Sequence, residues 1–197
     1  MPQIQYNKTF LMQINKDLGI RQNALPVLQS KEAALRAETR RMRSQVKEIA
    51  KNIEAKIQSL KPVQRLWSEF PDIIRIKKVN LKTKKIASIK VGIVENIEYD
   101  IDSFELFAQP AWFIQGVESI KEVFGLKIEL LNLEKVLESV EYARRKTTQK
   151  VNLYEKVQIP FFEEATRKIK RFLEDEENLS KSSQKVIKKR IEEESGV

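Results

Sequence analysis

The side chains that most often carry chemistry are thin in this 197-residue chain. It has no cysteine and no histidine. That removes thiolate nucleophiles, disulfides, the commonest transition-metal ligands and an imidazole general base. Carboxylates are plentiful, yet Glu163-Glu164 and the run Glu174-Asp175-Glu176-Glu177 are sequence neighbours in a helical pattern. Neighbours on a helix point to different sides, so they cannot face one substrate atom as a general acid and base. They read as a solvated helix face with i,i+4 charge partners. None of the five glycines (Gly19, Gly92, Gly116, Gly125 and Gly196) falls in a phosphate-cradling loop. The expectation is a chain with no catalytic residue, no cofactor and no metal site, one that works by contact.

Two groups of residues could make such contacts. Residues 1–60 hold 11 Lys/Arg against 5 Asp/Glu, whereas residues 61–125 hold 10 against 9 and residues 126–197 hold 16 against 14. The net charge of +9 therefore belongs mainly to the first segment, with a knot at Arg36, Arg40, Arg41, Arg43 and Lys47. Such a face can mean nucleic acid or an anionic membrane surface, and the bland reading, which is preferred, is a solvated helix face or one opposed by an acidic protein partner. The second group is aromatic: Trp67, Phe70, Phe104, Phe107, Trp112 and Phe113. It reads either as a small core or as an interface, where Trp and Phe are the usual anchors. Basic excess and aromatics sit in different segments, which argues against single-strand nucleic acid binding. The candidate partner-contact residues are Arg36, Arg40, Arg41, Arg43, Trp67, Phe70, Trp112 and Phe113.

The elements that must position them follow from periodicity. Stepping by three and four from Leu11 gives Leu11, Ile14, Leu18, Arg21, Leu25, Leu28, Glu32, Leu35, Thr39, Met42, Val46, Ile49, Ile53, Lys56 and Leu60, eleven of fifteen apolar. A stripe this narrow and long is a coiled-coil seam, on a helix about 75 Å long. The same stepping from Leu130 to Val186 gives eleven apolar positions of seventeen. Between the two the period changes to two, clearest at 89-91-93 and 97-99-101, so short β-strands are expected with a turn in Lys82-Thr83-Lys84-Lys85. Basic residues crowd the first strand and acidic ones the second, which favours their pairing. Pro26 and Pro160 interrupt the helices, and a bend is expected at each.

The predicted fold is mainly α: two long helices in an antiparallel coiled coil, with a small β-hairpin-containing segment at the connecting end. Its parts are an N-terminal helix at 1–62, a hairpin segment at 63–115, a C-terminal helix at 116–190 and a fraying tail at 191–197. No apolar run approaches the roughly 20 residues that cross a bilayer. The N-terminus lacks the charged start and apolar stretch of a secretory signal. A soluble, intracellular protein is expected.

Two stretches carry a family resemblance. The run Arg144-Arg145-Lys146-Thr147-Thr148-Gln149-Lys150-Val151-Asn152, continuing through Ile159-Pro160 to Glu163-Glu164, is similar to a basic-rich, Val-Asn, Ile-Pro, Glu-Glu run. Leu25–Leu35 keeps Leu28, Lys31, Ala34 and Leu35 of a second signature, with Pro26 and Gln29 as departures. Both signatures are those of the D subunits of V-type and archaeal-type rotary ATPases, a family this chain resembles along nearly its whole length.

The resemblance implies a central rotor stalk that couples ATP hydrolysis or synthesis in a catalytic head to rotation of a membrane ion-translocating ring. It implies no active site in the shaft itself. The implied partners are the catalytic and regulatory head subunits, a small companion rotor subunit and a socket subunit on the membrane ring. Nucleic acid and direct membrane insertion are not implied, and the location is cytoplasmic, peripheral to the membrane through the complex. A prefoldin-like chaperone and a basic coiled-coil nucleic-acid binder are the rival readings.

Overall fold

The computed structural model describes residues 3–102, 110 and 112–195. Helix α1 spans Lys8–Leu60 and is followed by a short 3-10 turn, Lys61–Val63, and the one-turn helix α2, Gln64–Trp67. Strands β1 (Ile74–Ile86) and β2 (Ile89–Ile101) form an antiparallel hairpin. Helix α3 (Trp112–Leu153), a π turn (Tyr154–Gln158) and helix α4 (Ile159–Ser195) complete the order. The fold is mainly helical, with a small two-stranded sheet, as the periodicity predicts. By packing, the chain divides into two units, residues 31–146 and residues 1–30 with 147–197.

Within the 31–146 unit, α1 and α3 run antiparallel. Arg43 meets Glu141, and Lys56, further along α1, meets Glu122, earlier on α3. The core holds Leu35 and Met42 from α1, Val136 and Val140 from α3 and Val91 from β2. Ile86, Ala87, Ile89 and Ile93 pack against it, so the tip of the hairpin lies on the helix pair. At the other end of β2, the Tyr99 hydroxyl donates to the Lys121 carbonyl at 3.1 Å. The hairpin thus starts at the connecting end and runs back along α3. β2 is the inner strand, largely half-buried, and β1 the outer, largely exposed.

The turn is not at Lys82–Lys85, which lies inside β1, but at Ala87-Ser88, flanked by the pair Ile86↔Ile89. Both turn residues have positive φ, 46° and 74°. A two-residue turn that follows the twist of the strands needs this geometry, and Asn-Gly usually supplies it. With Ala-Ser there is no local signal to read. The break in alternation between Ile93 and Ile97 has a cause too: the register shifts there, leaving Glu95 as the extra residue of a β-bulge. Charge pairs link the strands, with Lys82 at 3.4 Å from Glu95.

In the unit formed by residues 1–30 and 147–197, α1 and α4 are again antiparallel. Ile14 packs with Phe162, Ala165 and Ile169, while Leu11, Leu18 and Leu173 flank them. The polar contacts keep this order. Arg21 Nε donates to Gln158 Oε1 at 2.8 Å, Thr166 bonds Asn15 at 3.2 Å, and the rings of Tyr6 and Phe172 meet at 5.0 Å.

All fifteen positions of the first stripe are buried or half-buried. Its polar members are satisfied inside the chain. The Arg21 guanidinium also lies 4.6 Å from the centre of the Phe162 ring. Thr39 Oγ1 donates to the Leu35 carbonyl at 2.8 Å, Glu32 receives Arg36, and Lys56 pairs with Glu122.

The second stripe holds as far as Gln158, and beyond it Phe162 and Ile169 are buried where stepping gives Phe161 and Lys168, although Ala165 still falls on the stripe. The π turn accounts for the shift. The Ile159 N–H bonds the Tyr154 carbonyl, five residues back, so the turn takes up one residue more than an α turn. It sits directly before Pro160, whose ring would otherwise press on the carbonyl four residues behind it. Pro26 lies within an unbroken α1. It removes one hydrogen bond, to the Gln22 carbonyl, without ending the helix. Helix α4 continues to Ser195, into the segment that carries no packing pattern.

Candidate partner-contact surfaces

The basic knot resolves into a groove and a bystander. Arg36, Arg40, Arg43 and Lys47 recur at intervals of four, three and four, so they share one face of α1. With Thr39, Ser44 and Arg144 from α3 they line a groove of about 420 Å³. Arg41 is not in the lining and lies 3.9 Å from Glu38 on its own helix.

Arg36 and Arg43 of the lining are tied to carboxylates. Arg36 Nη2 is 2.9 Å from Glu32 Oε1, and Arg43 places Nε and Nη2 at 2.9 and 2.6 Å from Glu141 Oε1. The hydrogen bond from Arg43, with the charges of Arg43 and Arg145, holds the Glu141 carboxyl below its ordinary pKa, against a smaller opposing effect of burial. Arg145 approaches the other Glu141 oxygen at 3.5 Å. Arg144 stands out in the sequence only as a polar member of the second stripe. Its place beside the α1 cations is a tertiary fact that no local signal announces.

The aromatic residues form a cluster at the end of the 31–146 unit where α1 gives way to the hairpin. Phe113 is buried, and Trp67, Phe70 and Trp112 are half-buried. The ring centres of Trp112 and Phe113 are 4.7 Å apart, those of Phe70 and Phe113 5.1 Å, and those of Trp67 and Phe70 5.5 Å. These tilted and edge-on arrangements are the favourable ones for aromatic quadrupoles. Gly116 is required beneath them, since a Cβ there would come within 2.7 Å of the Phe70 ring. Phe104 and Phe107 lie outside the described residues.

Beside the cluster, Ile57, Leu60, Ile120, Val123 and Phe124 line an apolar groove of about 360 Å³ with Trp67 on its wall. This groove has no signature in the sequence, because its residues alternate between two helices. The Trp67 indole N–H is buried with no acceptor among the described residues.

Among the described residues no group of three or more acidic side chains could hold a metal ion. The acidic neighbours are exposed and engaged on their own faces: Glu163 accepts from Gln22, and Glu164 pairs with Lys168. No helix among the described residues is long and apolar enough to cross a membrane.

Long antiparallel helix pairs with a two-stranded hairpin laid on one of them make this a mainly helical fold. Similarity to known proteins gives the family. The sequence profile of the ATP synthase D subunit matches residues 10–189, so the chain belongs to the ATP synthase D-subunit family. It is 31% identical over 195 residues to the V-type ATP synthase D subunit of Borreliella burgdorferi, covering 95% of each chain. It is 26% identical over 197 residues to that of Chlamydia muridarum, covering 97% of each.

Proposed function

We propose that this chain is the central rotor shaft of a V-type ATP synthase. It couples ATP hydrolysis or synthesis in the head to rotation of the membrane ion-translocating ring and carries no active site of its own. The observation that supports this most is the match to the D-subunit family along residues 10–189, over both helix pairs and the hairpin. In this reading the catalytic and regulatory head subunits surround the helix pair. A small companion rotor subunit and a socket subunit meet the aromatic and hairpin end, and the chain is cytoplasmic, held at the membrane through the complex.

A shaft must transmit torque without slipping. A narrow seam indexed by internal polar contacts, such as Arg21 on Gln158 and Lys56 on Glu122, suits that task. The basic face of α1 meets acidic loops of the head. Reversing Arg40, Arg41 and Arg43 to glutamate is expected to impair head assembly and coupled ATPase activity, and unchanged values for both would refute this contact. Deleting the aromatic and hairpin segment is expected to abolish co-purification of the companion and socket subunits. Their retention would refute docking at that end. Isolation of the chain with client proteins, or with salt-sensitive nucleic acid, in place of rotary subunits would refute the shaft itself.

A further inference from the structure

We propose that the outer edge of β1 is a strand-docking site, which takes an extended segment of a partner protein with acidic residues on one face and branched apolar residues on the other. The proposal rests on the shaft reading and narrows its hairpin docking to one strand edge and one chemistry of partner. Its test uses a free peptide, so the edge can fail while the shaft reading stands.

The sheet has two strands, so among the described residues β2 is the only strand beside β1. Every side chain from Leu81 to Lys85 is exposed, and no described backbone group outside the hairpin bonds this stretch. The direction of each backbone group follows from the turn. A two-residue turn with positive φ at both Ala87 and Ser88 closes on a hydrogen-bonded pair, Ile86 with Ile89. Bonded and non-bonded pairs then alternate along an antiparallel ladder. Lys84 and Lys82 therefore bond across to Val91 and Ile93, whereas Lys85, Thr83 and Leu81 turn their N–H and C=O groups away from β2. The register is regular from Leu81 to Ile86 and breaks between Asn80 and Leu81, so the flat edge suits a short added strand.

Side chains choose the occupant. Lys82 and Lys84 share the face of Ile93 and Val91, while Leu81 and Thr83 share the face of Val94 and Gly92. Lys82 reaches Glu95 at 3.4 Å, and Lys84 and Lys85 make no ion pair among the described residues. Leu81 is 58% exposed and lies over Gly92, where no side chain covers it. An antiparallel strand added here sets alternate residues beside Leu81 and Thr83, where branched apolar side chains fit. Its other residues fall beside Lys82 and Lys84, where carboxylates fit. A second copy of β1 fails this match, because centring the pair on Thr83 sets Lys82 against Lys84. Such lysines keep open edges from pairing with each other. Main-chain hydrogen bonds supply the attraction, and charge supplies the selection.

The full chain is titrated with a nine-residue peptide of alternating valine and glutamate, followed by nuclear magnetic resonance. Binding is expected to slow amide exchange at Leu81, Thr83 and Lys85. Lys82 and Lys84, already bonded to β2, are expected to change little. The same peptide with methylated valine nitrogens keeps its charge but cannot donate to β1, and is expected to bind at least about tenfold more weakly. Lys82→Glu with Lys84→Glu is expected to weaken the acidic peptide at least about tenfold and to admit a valine–lysine peptide in its place. Thr83→Pro removes one outward N–H and leaves the bonds between β1 and β2 in place, so a loss of about threefold or more is expected. Circular dichroism verifies that both variants are folded.

Equal binding of the methylated and unmethylated peptides would overturn strand docking and leave plain charge attraction. No binding of the acidic peptide would also overturn it, and the lysines would then serve only to keep the edge unpaired. Dimers of the unsubstituted chain that Thr83→Pro abolishes would assign the edge to a second copy, against the proposal.

Discussion

The basic groove and the aromatic cluster belong to the same unit and present opposite physics. The groove is built from long charged side chains on one face of α1 together with Arg144 of α3, and two acids engage Arg36 and Arg43. The cluster is built from rings in mutual contact over a glycine. One surface is made mainly of exposed charges, with Arg36 and Arg43 paired to Glu32 and Glu141. The other is part of the core and can present only its rim. If the chain is the shaft proposed above, gripped by one set of subunits and seated in another, it has use for both. Substitutions should therefore hurt stability at the cluster and binding at the groove.

The sharpest way to break that contrast is Phe113→Ala. The ring is 5% exposed, and its loss should cost about 3–5 kcal/mol in urea unfolding. A cost under about 1 kcal/mol would mean the cluster is a surface patch and not a core.

Gly116→Ala gains about 1 kcal/mol of helix propensity. It also drives a methyl into the Phe70 ring, which is wedged between Trp112 and Phe113 and has little room to retreat. Overpacking of this kind costs about 1–3 kcal/mol, so a net loss of about 1 kcal/mol is expected. A gain in stability would show that the rings yield freely.

The smallest effect belongs to the groove. Glu141 has its carboxyl pKa lowered in the folded state, so its contribution is present above the unfolded carboxylate pKa. It is lost as the pH falls through the lower folded value. Arg43 is largely exposed, so Glu141→Gln should cost only about 0.5 kcal/mol near neutrality. The variant and the parent should converge in stability below the folded pKa. A difference that persisted undiminished in acid would mean the Gln disturbs packing and not charge.

Much of this fold is legible in the residues themselves. The first stripe can be read to the last position because burial on a regular helix follows the three-four spacing directly. The second is readable only to Gln158. Its periodicity is reset by a π turn that no residue type marks, although Pro160 hints at trouble. The strands are legible, but their turn is not, since Ala87-Ser88 adopts a geometry for which the sequence offers none of the usual residues. Arg36, Arg40 and Arg43 stand out as a local charge knot. Separating them from Arg41, and joining them to Arg144, requires two helices to be brought together, which is information of tertiary order.

The single extra residue of the π turn makes the helix pair behave like a screw with a fixed phase. Phe162 and Ile169 meet Ile14 only because the winding slips by one position between Tyr154 and Gln158. A gene shorter by one codon in that turn would encode a perfectly good helix with its grip rotated by about 100°. Ile169 would then turn away from Ile14. The fault would be one of timing along the thread, with every part still present.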